Sequence, residues 1–444
     1  MLGMSHVFPR HTKSSLPVAV GGEGCYLIDS TGKRYLDGSG GAAVSCLGHG
    51  DKTVIEAIKA QLDKVAFAHT GFFTSEPAEA LADHLIARAP KGLNRCYFVS
   101  GGSEAVEAAI KLARQVQIER GQPSRHRLIS RKQSYHGNTL GALAAGGNAW
   151  RREPFAPLMI ETSHISPCYE YRGRAEDETP EQYGLRMANE LETEIQRLGP
   201  ETVMAFIAEP VVGATLGAVS AVEGYFRRIR EICDQHGVLL ILDEVMCGMG
   251  RTGSLFACEQ EGVSPDVLCI AKGLGAGYQP IGAMLCSAEI YGAIEQGSGF
   301  FQHGHTYLGH PAACAGAFAV VKSIESRKLI PHVNEVGGRL RAALDETFGQ
   351  HAHIGDIRGR GLFLGLEIVE NRETKAPFDP SRGINKRFKA AAFEAGLICY
   401  PMGGTLDGKH GDHVLLAPPF IIEDQQIEEI THCLGLALEA SLKG

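Results

Sequence analysis

The sequence predicts an α/β fold: a large domain with a mostly parallel central sheet flanked by helices, plus a smaller α+β domain built from both chain ends. Three observations point there. Short apolar runs alternate with amphipathic stretches through the middle of the chain. Those runs lack polar alternation, as strands covered on both faces do. The two ends differ in texture, hairpin-like at the start and mixed at the finish.

Taken in order, "GCYLIDSTGKRYLDG" (24–38) reads as a hairpin with Gly32 in its turn. The apolar runs "RCYFVS" (95–100), "HRLISR" (126–131), "VMAFIAE" (203–209), "VLLILDE" (238–244), "DVLCIAK" (266–272) and "GAMLCS" (282–287) read as parallel strands. Helices fill the spaces between them: residues 103–121 and 223–237 are amphipathic, and each closes on a glycine, Gly121 and Gly237. Residues 168–186 are polar and rich in Tyr and Glu, which suggests an exposed insertion. After about residue 320 helices and short strands mix, with "RGLFLGLEIV" (360–369) strand-like. Because chain ends often lie close together, residues 1–50 and 321–444 are assigned to the small domain and 51–320 to the large one. No repeat or low-complexity tract interrupts this pattern.

Composition narrows the function. With 444 residues and 44% hydrophobic content, a large core can be buried. The net charge of -8 and the absence of any Lys/Arg block exclude an electrostatic nucleic-acid partner, so a small molecule fits better. Twelve cysteines show no C-x-x-C pair and read as buried small apolar residues in a reducing compartment. The N-terminal "MLGMSHVFPRHTKSS" lacks a signal-like apolar core, and no apolar run reaches the ~18 residues that span a bilayer. A soluble, cytoplasmic protein without a membrane partner is expected.

The chemistry concentrates at the strand ends, where open parallel sheets bind ligands. In "YFVSGGSEAVEAAI", strand gives way to a glycine turn and a helix; Gly101 and Gly102 permit close backbone approach, and Ser103 stands where an N-cap would stand. Free N–H groups and the helix dipole there favour an anion such as phosphate, although a capping serine alone is ordinarily only a cap. Lys272 ends an apolar strand and precedes Gly273, Gly275 and Gly277, a poor place for plain surface solvation. Burial lowers a lysine's pKa and frees its amine for attack on an aldehyde; the plainer alternative is a side chain snorkelling off the strand. Asp243 shifts the balance toward the reactive amine. A carboxylate at the end of so dry a strand needs a cationic or hydrogen-bonding partner, and a pyridinium nitrogen is one. A phosphate at a helix start, a Schiff-base lysine and an acid at the ring nitrogen are together the fixtures of pyridoxal 5'-phosphate. Glu244 reads as a support or a helix start.

At these residues the sequence resembles the class III, ω-amino-acid-type aminotransferases of pyridoxal-phosphate fold type I. The resemblance spans nearly the whole chain, through "SGGSEA" (100–105), "SYHG" (134–137), "AEP" (208–210), "LDEVMCGMGRTG" (242–253), "AKGLGAGYQPIGA" (271–283), "HGHTYLGHP" (303–311) and "APPF" (417–420). It implies that Lys272 carries the cofactor and shuttles the proton, that Asp243 binds the pyridine nitrogen, and that Val245 and Tyr135 pack on opposite ring faces. Gly102 and Ser103 would hold the phosphate, Glu209 would lie beside the cofactor, and Thr306 would reach the phosphate of a neighbouring subunit. That arrangement implies a homodimer or dimer of dimers with shared sites. The implied reaction moves an amino group from an ω-amino acid, diamine or related amine to an oxo acid such as pyruvate or 2-oxoglutarate, in two half-reactions. The alternative on the same fold is a decarboxylase or aminomutase.

Other features carry less. His303, His305 and His310 lack metal-ligand spacing and a nearby cysteine, so no metal is expected. His136 reads as a hydrogen-bonding support for Tyr135. Two positions depart from the family. Gly408 stands where many relatives place a carboxylate-binding arginine, leaving Lys409, His410, Arg358 or Arg360 as substitutes. Ala43 stands about where several ω-transaminases carry a bulky tryptophan. Both suggest a roomier pocket, less committed to carboxylates.

Overall fold

The computed structural model describes residues 6–443; the first five residues of the N-terminal segment read above lie outside it. A seven-stranded sheet forms the centre, in the spatial order Leu93–Val99, Gly282–Ser287, Val267–Ile270, Leu239–Asp243, Val203–Ala208, Arg127–Arg131 and Thr162–Ile165. The apolar runs are continuous because both faces are covered. Leu239 and Ile241 pack with Val106, Ala109 and Ala113 of the Gly102–Glu119 helix. Leu240 and Leu242 face the other way, toward Phe226, Ile229 and Cys233 of the Tyr225–His236 helix. That second helix stops at Gly237, whose φ of 63° suits a residue without a Cβ.

Four expectations are revised. Gly282–Ser287 runs antiparallel to both of its neighbours. Residues 271–281 hold only a short 3-10 turn instead of a crossover helix, and a parallel return needs a longer connection. Thr162–Ile165 adds an edge strand that its polar "TSHI" concealed. Residues 168–186 are exposed over 173–177 and 179–182 but anchored at both ends: Cys168, Tyr169 and Tyr183 are buried, the Tyr183 hydroxyl accepts the Tyr169 N–H at 2.7 Å, and Arg172 pairs with Glu367 at 2.6 Å. Aromatic bodies went inside and the charges found partners. Finally, Gly101 rather than Ser103 caps the Gly102–Glu119 helix, and Glu104 accepts the Ser100 N–H at 2.8 Å. Ser103 therefore sits within the first turn.

Both chain ends meet beside this sheet. The hairpin Tyr26–Asp29/Arg34–Asp37 continues into Leu397–Ile398, which runs parallel to Arg34–Asp37. A separate antiparallel sheet joins Ile354–Arg360, Phe363–Ile368, Asp412–Leu416 and Tyr400–Gly403. One apolar cluster binds Leu36 and Leu47 to Leu364, Leu416 and Ile430. Every cysteine except Cys96 is buried, and all are free thiols. Among the described residues no helix is long and apolar enough to cross a membrane.

Candidate active site

A cavity of about 480 Å³ opens beyond the carboxyl ends of the central strands. Gly102, Ser103, Tyr135, Glu209, Asp243, Val245 and Lys272 all line it. Thr306 does not: it is exposed and lines a different groove of the same chain, with His69, Phe73 and His303.

Lys272 occupies the turn that follows Val267–Ile270, with a φ of 45°. Left-handed backbone at a residue with a Cβ costs of order 1–3 kcal/mol and persists only where the surroundings impose it. Burial pushes its ammonium down to about 8, against the pull of Asp243 and Glu209. About a tenth of the amines are then neutral at pH 7, against roughly three in ten thousand for an ordinary lysine.

Asp243 ends a strand buried along its whole length. Its Oδ1 accepts the Val245 N–H at 3.0 Å, and its Oδ2 lies 2.8 Å from His136 Nδ1. His136 Nε2 continues to Ser130 Oγ at 3.2 Å. His136 thus serves Asp243 and not the Tyr135 hydroxyl, because a buried carboxylate claims the nearest available donor. Sequence reasoning missed this pairing; its one local sign was the histidine inside "SYHG".

Glu209 joins two loops at the cavity wall. Its Oε1 accepts the Tyr135 N–H at 3.1 Å and its Oε2 the Gly213 N–H at 3.2 Å. Burial, followed by the repulsion of Asp243, raises its carboxyl pKa, while His136 opposes the shift. Glu244 turns away from the cavity and accepts the N–H groups of Ala257 (2.6 Å) and Cys258 (2.7 Å), starting a 3-10 turn. Burial pushes it up to about 7.

The cradle at the helix start is close-fitting. A Cβ on Gly102 would lie 2.6 Å from Val245 Cγ1, so Val245 packs directly on glycine backbone. A Cβ on Gly137 would come within 2.7 Å of Ser103 Oγ, which accepts the Asn138 N–H at 3.0 Å. Backbone N–H groups and the positive end of an 18-residue helix converge there, suited to an anion. Across the cavity, burial raises the Tyr135 phenol pKa. A hydroxylated ring, a low-pKa amine, a buried carboxylate and an anion cradle, all in one cavity, can bind and polarise a phosphorylated aromatic aldehyde.

The departures also resolve structurally. Val44, not Ala43, lines the cavity; Ala43 has a φ of 62° and packs among Val211, Phe363 and Tyr400. Arg358 is held by Glu367 at 2.7 Å and Asp356 at 3.0 Å, and Arg360 by Glu261 at 2.6 Å. Lys409 and His410 fold onto Asp407 in an exposed turn. None of these four lines the cavity.

Known proteins share this architecture. An uncharacterized aminotransferase of Schizosaccharomyces pombe is 46% identical over 427 residues, covering 96% of this chain and 93% of the relative. The solved (S)-enantioselective omega-transaminase from Thermomicrobium roseum superposes with a TM-score of 0.92 at 36% identity, over 99% of this chain and 97% of that one. An omega transaminase from Pseudomonas jessenii, solved in complex with PMP, superposes with the same TM-score, 0.92, at 31% identity, over 98% and 97% of the two chains. The shared fold is pyridoxal-phosphate fold type I. The family model of the class III aminotransferases matches residues 7–438, and with these relatives beside it the chain belongs to that family.

Proposed function

We propose that this aminotransferase uses pyridoxal 5'-phosphate to move an amino group from an ω-amino acid, diamine or related amine to an oxo acid such as pyruvate or 2-oxoglutarate, in two half-reactions. The observation that carries this is the meeting of Lys272, its amine pushed down to about 8, with buried Asp243 and the Gly102–Ser103 cradle in one cavity. Once bound, the cofactor would supply an aldehyde for the amine and a ring that withdraws electrons.

The chain's own residues do the rest. The first-turn N–H groups and the Ser103 hydroxyl hold the phosphate. Val245, backed by Gly102, and Tyr135 sandwich the ring. Asp243 holds a proton at the ring nitrogen, and His136 fixes the carboxylate's orientation. Lys272 Nζ would hold the cofactor's aldehyde carbon and, once free as an amine, would be the base and acid that moves the proton taken from the donor carbon. In the second half-reaction it moves the proton the other way. Glu209 keeps the Tyr135 loop against the 211–220 hairpin.

Thr306 acts on the phosphate of a second subunit. Support comes from its exposed loop and from neighbouring large apolar side chains left uncovered in one chain: Phe72 at 82%, Phe73 at 68% and Phe300 at 62%. Such a patch suits a second copy. The test is to mix purified protein with candidate amines and follow loss of the visible cofactor band, then restore it with pyruvate or 2-oxoglutarate. Bleaching without restoration by any oxo acid would contradict transamination.

A further inference from the structure

Among the described residues, Arg151 on the short helix Ala149–Arg152 has no carboxylate partner. Arg151 stacks over Tyr135, its Cζ 4.7 Å from the ring centroid, and lies 5.7 Å from the Trp150 ring. Among the described residues its side chain makes no hydrogen bond or ion pair, and its Nε is buried without an acceptor. Tyr135, over which Arg151 lies, walls the cavity, so the guanidinium stands one side chain behind the lining. An unmet half-buried cationic donor is costly and calls for an anion.

The loop around Gly408 packs against the segment that carries Arg151. Gly408 has a φ of 91°, and a Cβ there would lie 3.0 Å from the Trp150 nitrogen and 3.5 Å from Ala149 Cβ. A side chain at 408 would run into the short helix Ala149–Arg152, which instead delivers Arg151. Its place over the Tyr135 ring sets the guanidinium beside the cavity wall, and a guanidinium can meet a carboxylate with two parallel N–H groups.

We propose that Arg151 binds the distal carboxylate of the amine donor and of the matching oxo acid, so that carboxylate-bearing substrates are preferred. The identity of the bound groups rests on the aminotransferase reading; the carboxylate contact itself can be measured without turnover. This reverses the expectation from Gly408 alone, that uncharged amines compete well. The charge is supplied from another segment.

The chain's only tryptophan, Trp150, adjoins Arg151 and is 61% exposed, so its emission reports on this contact. Glutarate titrated into the holoenzyme should change that emission saturably, and 1,5-pentanediol should not. Arg151→Met should weaken glutarate at least about tenfold, and Arg151→Lys, which keeps charge but loses the fork, by less. In turnover, wild type should favour a donor with a terminal carboxylate over its uncharged match by about thirtyfold or more, and Arg151→Met should lose most of that preference, the carboxylate donor falling at least about tenfold further than the uncharged one. Unchanged glutarate binding in Arg151→Met overturns the proposal. So does an equal loss on both donors, which would leave Arg151 as a mere support for Tyr135. If glutarate binding depends on Arg151 but no donor is ever turned over, the clamp stands and the aminotransferase reading falls.

Discussion

The reactivity of Lys272 makes the sharpest demand on the account. Its ammonium is pushed down to about 8 by burial, while Asp243 and then Glu209 hold it up. The rate at which apoprotein captures pyridoxal phosphate should therefore rise about tenfold per pH unit below 8 and level off above it; a solvated lysine would keep rising to about 10.4. Removing an anion that favours the ammonium must lower the midpoint further. Opposite charges within ~4–6 Å shift a pKa by about one to three units. Asp243 acts on Lys272 beside an open cavity, so Asp243→Asn should lower the midpoint by about one unit, or ~1.4 kcal/mol. Glu209→Gln should do the same to a smaller extent. Stopped-flow growth of visible absorbance between about pH 6 and 10 measures all three. A wild-type midpoint near that of free lysine, or an upward shift in Asp243→Asn, would refute the reasoning.

Lys272→Ala should abolish turnover, by more than about a thousandfold, while the far-ultraviolet spectrum and some cofactor binding survive; steady-state rates and equilibrium dialysis check this. Asp243→Asn should also depress kcat more than it raises KM, since its charge matters most where electrons flow into the ring. Gly137→Ala forces a methyl to within 2.7 Å of Ser103 Oγ and should raise the cofactor Kd about tenfold or more, read by absorbance titration. Hybrid dimers of Lys272→Ala and Thr306→Ala chains should retain about half of wild-type activity, one site being intact; recovery of only about half the Thr306→Ala dimer's activity would place both residues in one chain's site.

How far the sequence could be read depended on which interactions are local. Val203–Ala208 and Leu239–Asp243 were legible because burial on both faces removes polar alternation. The same dryness hid the direction of Gly282–Ser287, since a doubly covered strand looks alike either way round. Thr162–Ile165 was hidden by edge polarity, and Tyr169 and Tyr183 by an acidic setting that turned out to serve arginines. At the site, the strand-end placement of Asp243 and Lys272 could be inferred from their own segments. The His136–Asp243 contact could not, because it spans separate elements. The gap at Gly408 was visible in the sequence, but its neighbour was not, because the Gly408 loop meets the Ala149–Arg152 segment only through long-range packing.

Transfer of the nitrogen atom itself tests the central claim most directly. Holoenzyme given a nitrogen-15-labelled ω-amino acid, together with unlabelled pyruvate or 2-oxoglutarate, should yield the labelled amino acid of the acceptor in amounts equal to the oxo product of the donor. Mass spectrometry that instead found released carbon dioxide, or the label moved within the donor's own carbon skeleton, would contradict it.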